Sequence, residues 1–157
     1  MAVAAKSLVL DANILIDAVL GTRVLAILEA FEDEVTFFSP DVCVSDAGRN
    51  ISEICKKHGF DELLALRILK RVERIVEVAE QRTYTNEQRD ALERIQDRDP
   101  DDWPVIAVAL SLNLPIWTED RDFFGCGVAT WITNTVEITC ATDPPRPIAP
   151  PRIQFPL

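Results

Sequence analysis

The 157-residue chain has a single histidine, His58. A histidine-based hydrolytic triad and a zinc hydrolase site are therefore nearly excluded. Its four cysteines, Cys43, Cys55, Cys126 and Cys140, form no CxxC pair. Cys55 and His58 stand three apart, but no second pair completes a zinc site. They read as reduced, buried thiols. Basic residues are also scarce: 16 Lys and Arg against 26 Asp and Glu give a net charge of −10. That argues against a broad basic surface for nucleic acid. It does not exclude a nuclease, because carboxylates that hold metal ions are themselves acidic and the ions invert the local sign. No apolar run has the length of a membrane span. The N-terminus lacks a secretory pattern: Lys6 follows the small residues, and Asp11 and Asp17 interrupt any hydrophobic region. The cytoplasm is the expected location.

What is present is a chain 48% hydrophobic and 27% charged. That composition predicts one folded domain with a substantial core. The expected domain spans residues 1–142. Residues 143–157 hold six of the ten prolines and form a compositionally separate, extended tail.

Along the domain, short apolar runs alternate with helical periodicity. Ser7-Leu8-Val9-Leu10 reads as a buried strand of a parallel sheet. Val35–Ser39, Ile75–Val78 and Ile116–Thr118 read as further strands, and residues 128–138 as the last strand or two. Between them, residues 14–20, 22–31, 61–72, 86–98 and 102–112 carry helical patterns, as does the segment after Pro40, with Ser39 as its cap. Residues 102–112 leave almost no polar face, which predicts a buried helix. The alternation implies βαβ units: an α/β fold, a three-layer α/β/α sandwich with a mostly parallel central sheet.

In such sheets ligands bind beyond the carboxyl ends of the strands. Three elements deliver acids there. Asp11 directly follows the first strand, Asp120 and Asp122 follow the fourth, and Asp102 opens the buried helix that leads into the fourth. Each has a modest alternative role: Asp11 and Asp102 or Asp101 as helix caps, Asp120 as a turn residue. Together, three acids arriving at one sheet edge point to a metal site. Oxygen ligands without histidine suit Mg²⁺ or Mn²⁺, and such ions can drive phosphodiester cleavage. A further acid is expected from the helix after Pro40. Asp46 and Glu53 share one face there, roughly 10 Å apart at 1.5 Å per residue. Asp46 is nearer the strand end; Glu53 is the fallback, and its alternative is a solvated face.

Leu8-Val9-Leu10-Asp11-Ala12-Asn13-Ile14-Leu15-Ile16 resembles the opening motif of PIN-domain ribonucleases. Asp99-Pro100-Asp101-Asp102-Trp103-Pro104-Val105-Ile106-Ala107-Val108-Ala109-Leu110 resembles the family's third acidic motif, and Ile116-Trp117-Thr118-Glu119-Asp120-Arg121-Asp122-Phe123 its fourth. The resemblance implies Mg²⁺- or Mn²⁺-dependent RNA cleavage leaving 5′-phosphate and 3′-hydroxyl ends. It implies Asp11, Asp102 and Asp120 as metal ligands, Asp122 as an auxiliary acid, and Asn13 and Thr118 as hydrogen-bonding supports. Asp46 stands where the family usually has Glu. VapC-type toxins belong to this family, so the resemblance also implies a homodimer and a small protein antitoxin. The rival reading is a catalytically weak PIN-like binding or regulatory module. A haloacid-dehalogenase-like phosphatase would need a second Asp where Asn13 stands. A response-regulator receiver would need a phosphoacceptor Asp mid-chain and a lysine after a late strand, where Thr118 is followed by Glu119.

Overall fold

The computed structural model describes residues 6–141. The Pro-rich segment 143–157 lies outside the described residues. Five strands form the sheet: β1 (Lys6–Leu10), β2 (Val35–Pro40), β3 (Val76–Ala79), β4 (Ile116–Trp117) and β5 (Thr130–Trp131). Their order is β3-β2-β1-β4-β5, and every pairing is parallel. The α/β sandwich expected from the alternating pattern is therefore present. Leu8, Val9 and Leu10 are all buried, as a strand covered on both faces requires.

The helices are α1 (Ala12–Leu20), α2 (Arg23–Phe31), α3 (Asp41–His58), α4 (Glu62–Ile75), the short α5 (Gln81–Tyr84), α6 (Gln88–Ile95), α7 (Trp103–Leu112) and α8 (Thr133–Ala141). The chain adds β2 and β3 on one side of β1, then returns to place β4 on the other side. Right-handed crossovers put the connections before and after that reversal on opposite faces. Accordingly α1, α2, α3 and α4 pack together, and α5, α6 and α7 form a second group. The reversal leaves a crevice at the carboxyl ends of β1 and β4.

Local signals account for most element ends. Asp11 caps α1 with its side chain, Gly21 ends that helix, Gly59 ends α3 at φ 69°, and Asn113 ends α7 at φ 54°. Helix α7 has Pro104 to Ala109 buried without a break, as its apolar sequence demands. Two details differ from the sequence expectation. Ser39 does not cap α3; its buried hydroxyl donates to Leu10 O at 2.9 Å and ties β2 to β1, while Pro40 takes the cap position. Residues 128–138 hold only one short strand, and their second half is α8. Val136 and Cys140, four apart, are buried there, so helical packing overrides the β-branched composition.

Candidate functional site

The crevice between β1 and β4 is built by register. Leu10 pairs with Trp117, so the next residues, Asp11 and Thr118, leave the sheet side by side. Both are buried. Asp11 Oδ1 accepts from Ile14 N at 2.9 Å, the capping bond of α1. Asp11 Oδ2 accepts a close hydrogen bond from Thr118 Oγ1. The cap and site readings of Asp11 are thus compatible: one oxygen serves the helix and the other faces Thr118. The same hydroxyl accepts from Asp120 N at 2.9 Å. Thr118 therefore couples the β1 acid to the loop that follows β4.

That loop turns through a 3₁₀ segment, Arg121–Phe123, with Asp120 as its cap. Asp120 Oδ1 accepts from Asp122 N at 2.9 Å, which sets the two carboxylates side by side. Opposite them, Asp99 caps another 3₁₀ turn, Pro100–Asp102, by accepting from Asp101 N at 3.1 Å. Asp102 occupies the cap position of α7, but its side chain makes no capping bond. Its carboxylate instead meets Asp120 and Asp122: one oxygen from each of the three acids lies within 4.8 Å of the others.

The electrostatics of this group are unfavourable as they stand. None of the described ion pairs includes Asp11, Asp102, Asp120 or Asp122. Burial, then the neighbouring charges of Asp99, Asp120, Asp11 and Asp122, push the Asp102 carboxyl up to about 7. Burial also pushes Asp11 up to about 6, against the lowering effect of its bonds from Thr118 and Ile14. Asp102 Oδ2 is buried without a hydrogen-bond partner among the described residues. An orphaned carboxylate oxygen costs free energy unless a cation or donor meets it. Asp102, Asp120 and Asp122 together offer three converging hard oxygen donors, which fit Mg²⁺ or Mn²⁺.

The other expected residues fall outside the three-acid cluster. Asp46, half-buried on α3, makes a close ion pair with Arg49. It still lies near enough, with Asp11 and Asp102, to raise the pKa of the Cys43 thiol, whose main cause is burial. Glu53 is exposed and lines a surface groove with Arg49, Lys56 and Glu73, the solvated-face alternative. Asn13 is exposed on the first turn of α1.

Sequence reasoning missed several neighbours. Asp17 is raised by burial and by Glu119, and it adds to the field at Asp11. Its place six residues after Asp11 was the available signal. Cys43 was visible only as a buried thiol. Arg98 was not marked at all, because its partners are main-chain carbonyls.

The chain is similar in fold to several solved structures. PAE2754 from Pyrobaculum aerophilum is 20% identical with a TM-score of 0.71, over 90% of this chain and 100% of that one. VapBC2 from Rickettsia felis, solved bound to a DNA fragment from its promoter, matches at 15% identity and TM-score 0.61, over 81% and 98%. FitAcB from Neisseria gonorrhoeae matches at 16% and 0.56, over 80% and 97%. No curated protein sequence matches significantly. The family model for the PIN domain matches residues 9–141, a span that runs from β1 to the end of α8 and contains every acid of the crevice, and the chain belongs to that family.

Proposed function

We propose that the protein is a divalent-metal-dependent endoribonuclease. The observation that carries this reading is Asp102 Oδ2, buried among carboxylates and without a hydrogen-bond partner or ion-paired cation among the described residues. Asp102, Asp120 and Asp122 would hold Mg²⁺ or Mn²⁺, with Asp11 beside them and Asp46 at the margin. The ion supplies charge to activate water and to stabilise the developing phosphate and leaving oxygen. The chain's own residues do the positioning. Thr118 orients Asp11 Oδ2 and fixes the Asp120 main chain through one hydroxyl. Asp120 sets the spacing of Asp122. Such bonds to ligands decide where the donor atoms stand.

RNA is the inferred substrate, and a cytoplasmic toxin with a small protein antitoxin is the inferred setting. The acidic motifs and the shared fold with the VapBC2 structure support this. A homodimer is inferred on the same basis. One observation favours a catalytically weak binding module instead: Asp46 pairs with Arg49 rather than joining the cluster. An RNA cleavage assay with Mn²⁺, with and without excess chelator, separates the readings. Cleavage that needs Mn²⁺ is expected. Cleavage surviving in EDTA overturns metal dependence, and none on any RNA with Mn²⁺ favours the binding module.

A further inference from the structure

The loop between β4 and β5 carries Asp120 and Asp122 and has few backbone bonds of its own. Phe124 N reaches Arg121 O at 3.0 Å, while Phe123 N reaches Asp120 O and Cys126 N reaches Phe123 O at 3.3 Å each, at the long end for N–H···O bonds. Three like charges converge across it, and their repulsion acts to spread the loop away from Asp102. Arg98, three residues beyond α6, holds the loop from outside as well. Its Nη1 donates to Arg121 O at 3.1 Å, to Asp122 O at 2.9 Å and, in a close contact, to Phe124 O. Arg94, one turn earlier, donates from Nη1 to Cys126 O at 3.0 Å. The loop bends to meet them: Gly125 and Gly127 have φ 85° and 84°. A Cβ on Gly127 would collide with the Arg94 guanidinium.

We propose that Arg98 is the positioning residue of the acidic site: it clamps the carbonyls of the 121–124 turn and so fixes Asp120 and Asp122 opposite Asp102. The proposal rests on the metal-site reading above. Arg98 joins none of the described ion pairs. It holds the main chain and leaves the carboxylate oxygens free for a cation. A cationic donor to neutral carbonyls makes a stronger bond than a neutral one, which suits a clamp working against repulsion.

The test compares wild type, Arg98→Ala and Arg98→Lys. Amide hydrogen exchange on the metal-free protein reads the loop, and Mn²⁺ titration followed by electron paramagnetic resonance reads the site. In Arg98→Ala, exchange at Phe124 and Cys126 should quicken by about tenfold or more while Leu8 to Leu10 stay unchanged. Mn²⁺ affinity should fall by about tenfold or more, as for other residues that orient ligands. Arg98→Lys, which keeps a cation with several donors, should recover most of both. If Arg98→Ala does not fold, Arg98→Gln, with one donor amide, carries the same comparison. Unchanged loop exchange, unchanged Mn²⁺ affinity, or faster exchange spread evenly through β1 would each overturn the proposal. If wild type binds no Mn²⁺, the metal-site reading falls, and the exchange pattern alone then decides whether Arg98 holds the loop.

Discussion

Acids on the outer helices and acids at the sheet edge obey opposite rules in this molecule. On the helices, several carboxylates stand beside cations. Arg71 bridges Glu29 at 3.7 Å and Glu32 at 3.1 Å, Arg94 meets Asp90 at 2.9 Å, and Lys70 meets Glu73 at 3.4 Å. At the crevice, Asp11, Asp102, Asp120 and Asp122 gather with no described cation partner, and the arginine nearest in function, Arg98, spends its bonds on carbonyls. The helical acids have their counter-charge built in. The crevice acids are held in place first and await theirs. Such a site costs stability locally, and strained, under-paired groups of this kind concentrate where function requires them.

The largest expected effect comes from removing one uncompensated charge. Asp102→Asn should weaken Mn²⁺ binding and RNA cleavage by about 100-fold or more, at least the upper end seen for residues that only orient ligands. Its effect on the metal-free protein has a pH-dependent size. The Asp102 carboxyl moves from an ordinary value of 3.8 in the unfolded chain to about 7 in the fold. Between those values the folded state binds more protons than the unfolded one, so the contribution of Asp102 to wild-type stability is fullest below pH 3.8 and declines as pH rises toward 7. Asp102→Asn should therefore be more thermostable than wild type at pH 8 without metal, and this advantage should shrink at pH 5 and vanish only below about pH 3.8. Protons and metal also compete for the same oxygens, so wild-type Mn²⁺ affinity should climb between pH 5 and 8. Thermal melts at the two pH values, with EDTA and with Mn²⁺, check all of this. Equal melting temperatures for the two proteins at pH 8 in EDTA would show that Asp102 carries no uncompensated charge.

A smaller effect is expected from the hydroxyl that joins the two halves of the crevice. Thr118→Val keeps the shape of a fully buried residue but removes the donor to Asp11 Oδ2 and the acceptor for Asp120 N. Leaving buried polar groups unpaired costs about 1–3 kcal/mol, and loss of the orienting bond should lower Mn²⁺ affinity by about 10-fold or more. Urea unfolding in EDTA and Mn²⁺ titration measure the two losses separately. A loss of stability with unchanged Mn²⁺ affinity would reduce Thr118 to a core residue and detach Asp11 from the site.

Much of the crevice was legible in the sequence because its acids sit at element boundaries. Asp11 follows an unbroken apolar strand, Asp102 precedes an unbroken apolar helix, and Asp120 follows Ile116-Trp117-Thr118; apolar runs of that kind leave little doubt about where chain enters and leaves the core. The strand at Thr130–Trp131 was legible, but residues 133–141 were not. Thr130, Ile132, Thr133, Thr135, Val136 and Ile138 are β-branched, yet from Thr133 onward they form α8, because burying Val136 and Cys140 on one face outweighs strand propensity. Arg98 was hidden for a different reason. Its partners are peptide carbonyls, which every residue has, so no pattern of side chains announces the clamp. Asp46 illustrates a third limit. Helical spacing placed it on the expected face, but spacing cannot say that Arg49, three residues on, would take its carboxylate.

The smallest expected effect lies on the other side of the comparison. Arg71 sits between Glu29 and Glu32, and all three side chains are substantially solvent-exposed. Exposed pairs gain little because water screens them and ordering two long side chains opposes the attraction. Arg71→Ala should therefore cost about 0–1 kcal/mol in urea unfolding. Raising the salt concentration should shrink even that difference, since the screening length falls to about 3 Å at 1 M. Mn²⁺ affinity and RNA cleavage should stay at wild-type levels, because Arg71 lies on the α2–α4 face and touches nothing in the crevice. The variant thus removes a cation that two acids already have, whereas Asp102→Asn removes an acid that no cation answers. A loss of Mn²⁺ binding in Arg71→Ala would mean that charge on the outer helices is coupled to the crevice, and the two sets of acids would then belong to one electrostatic system.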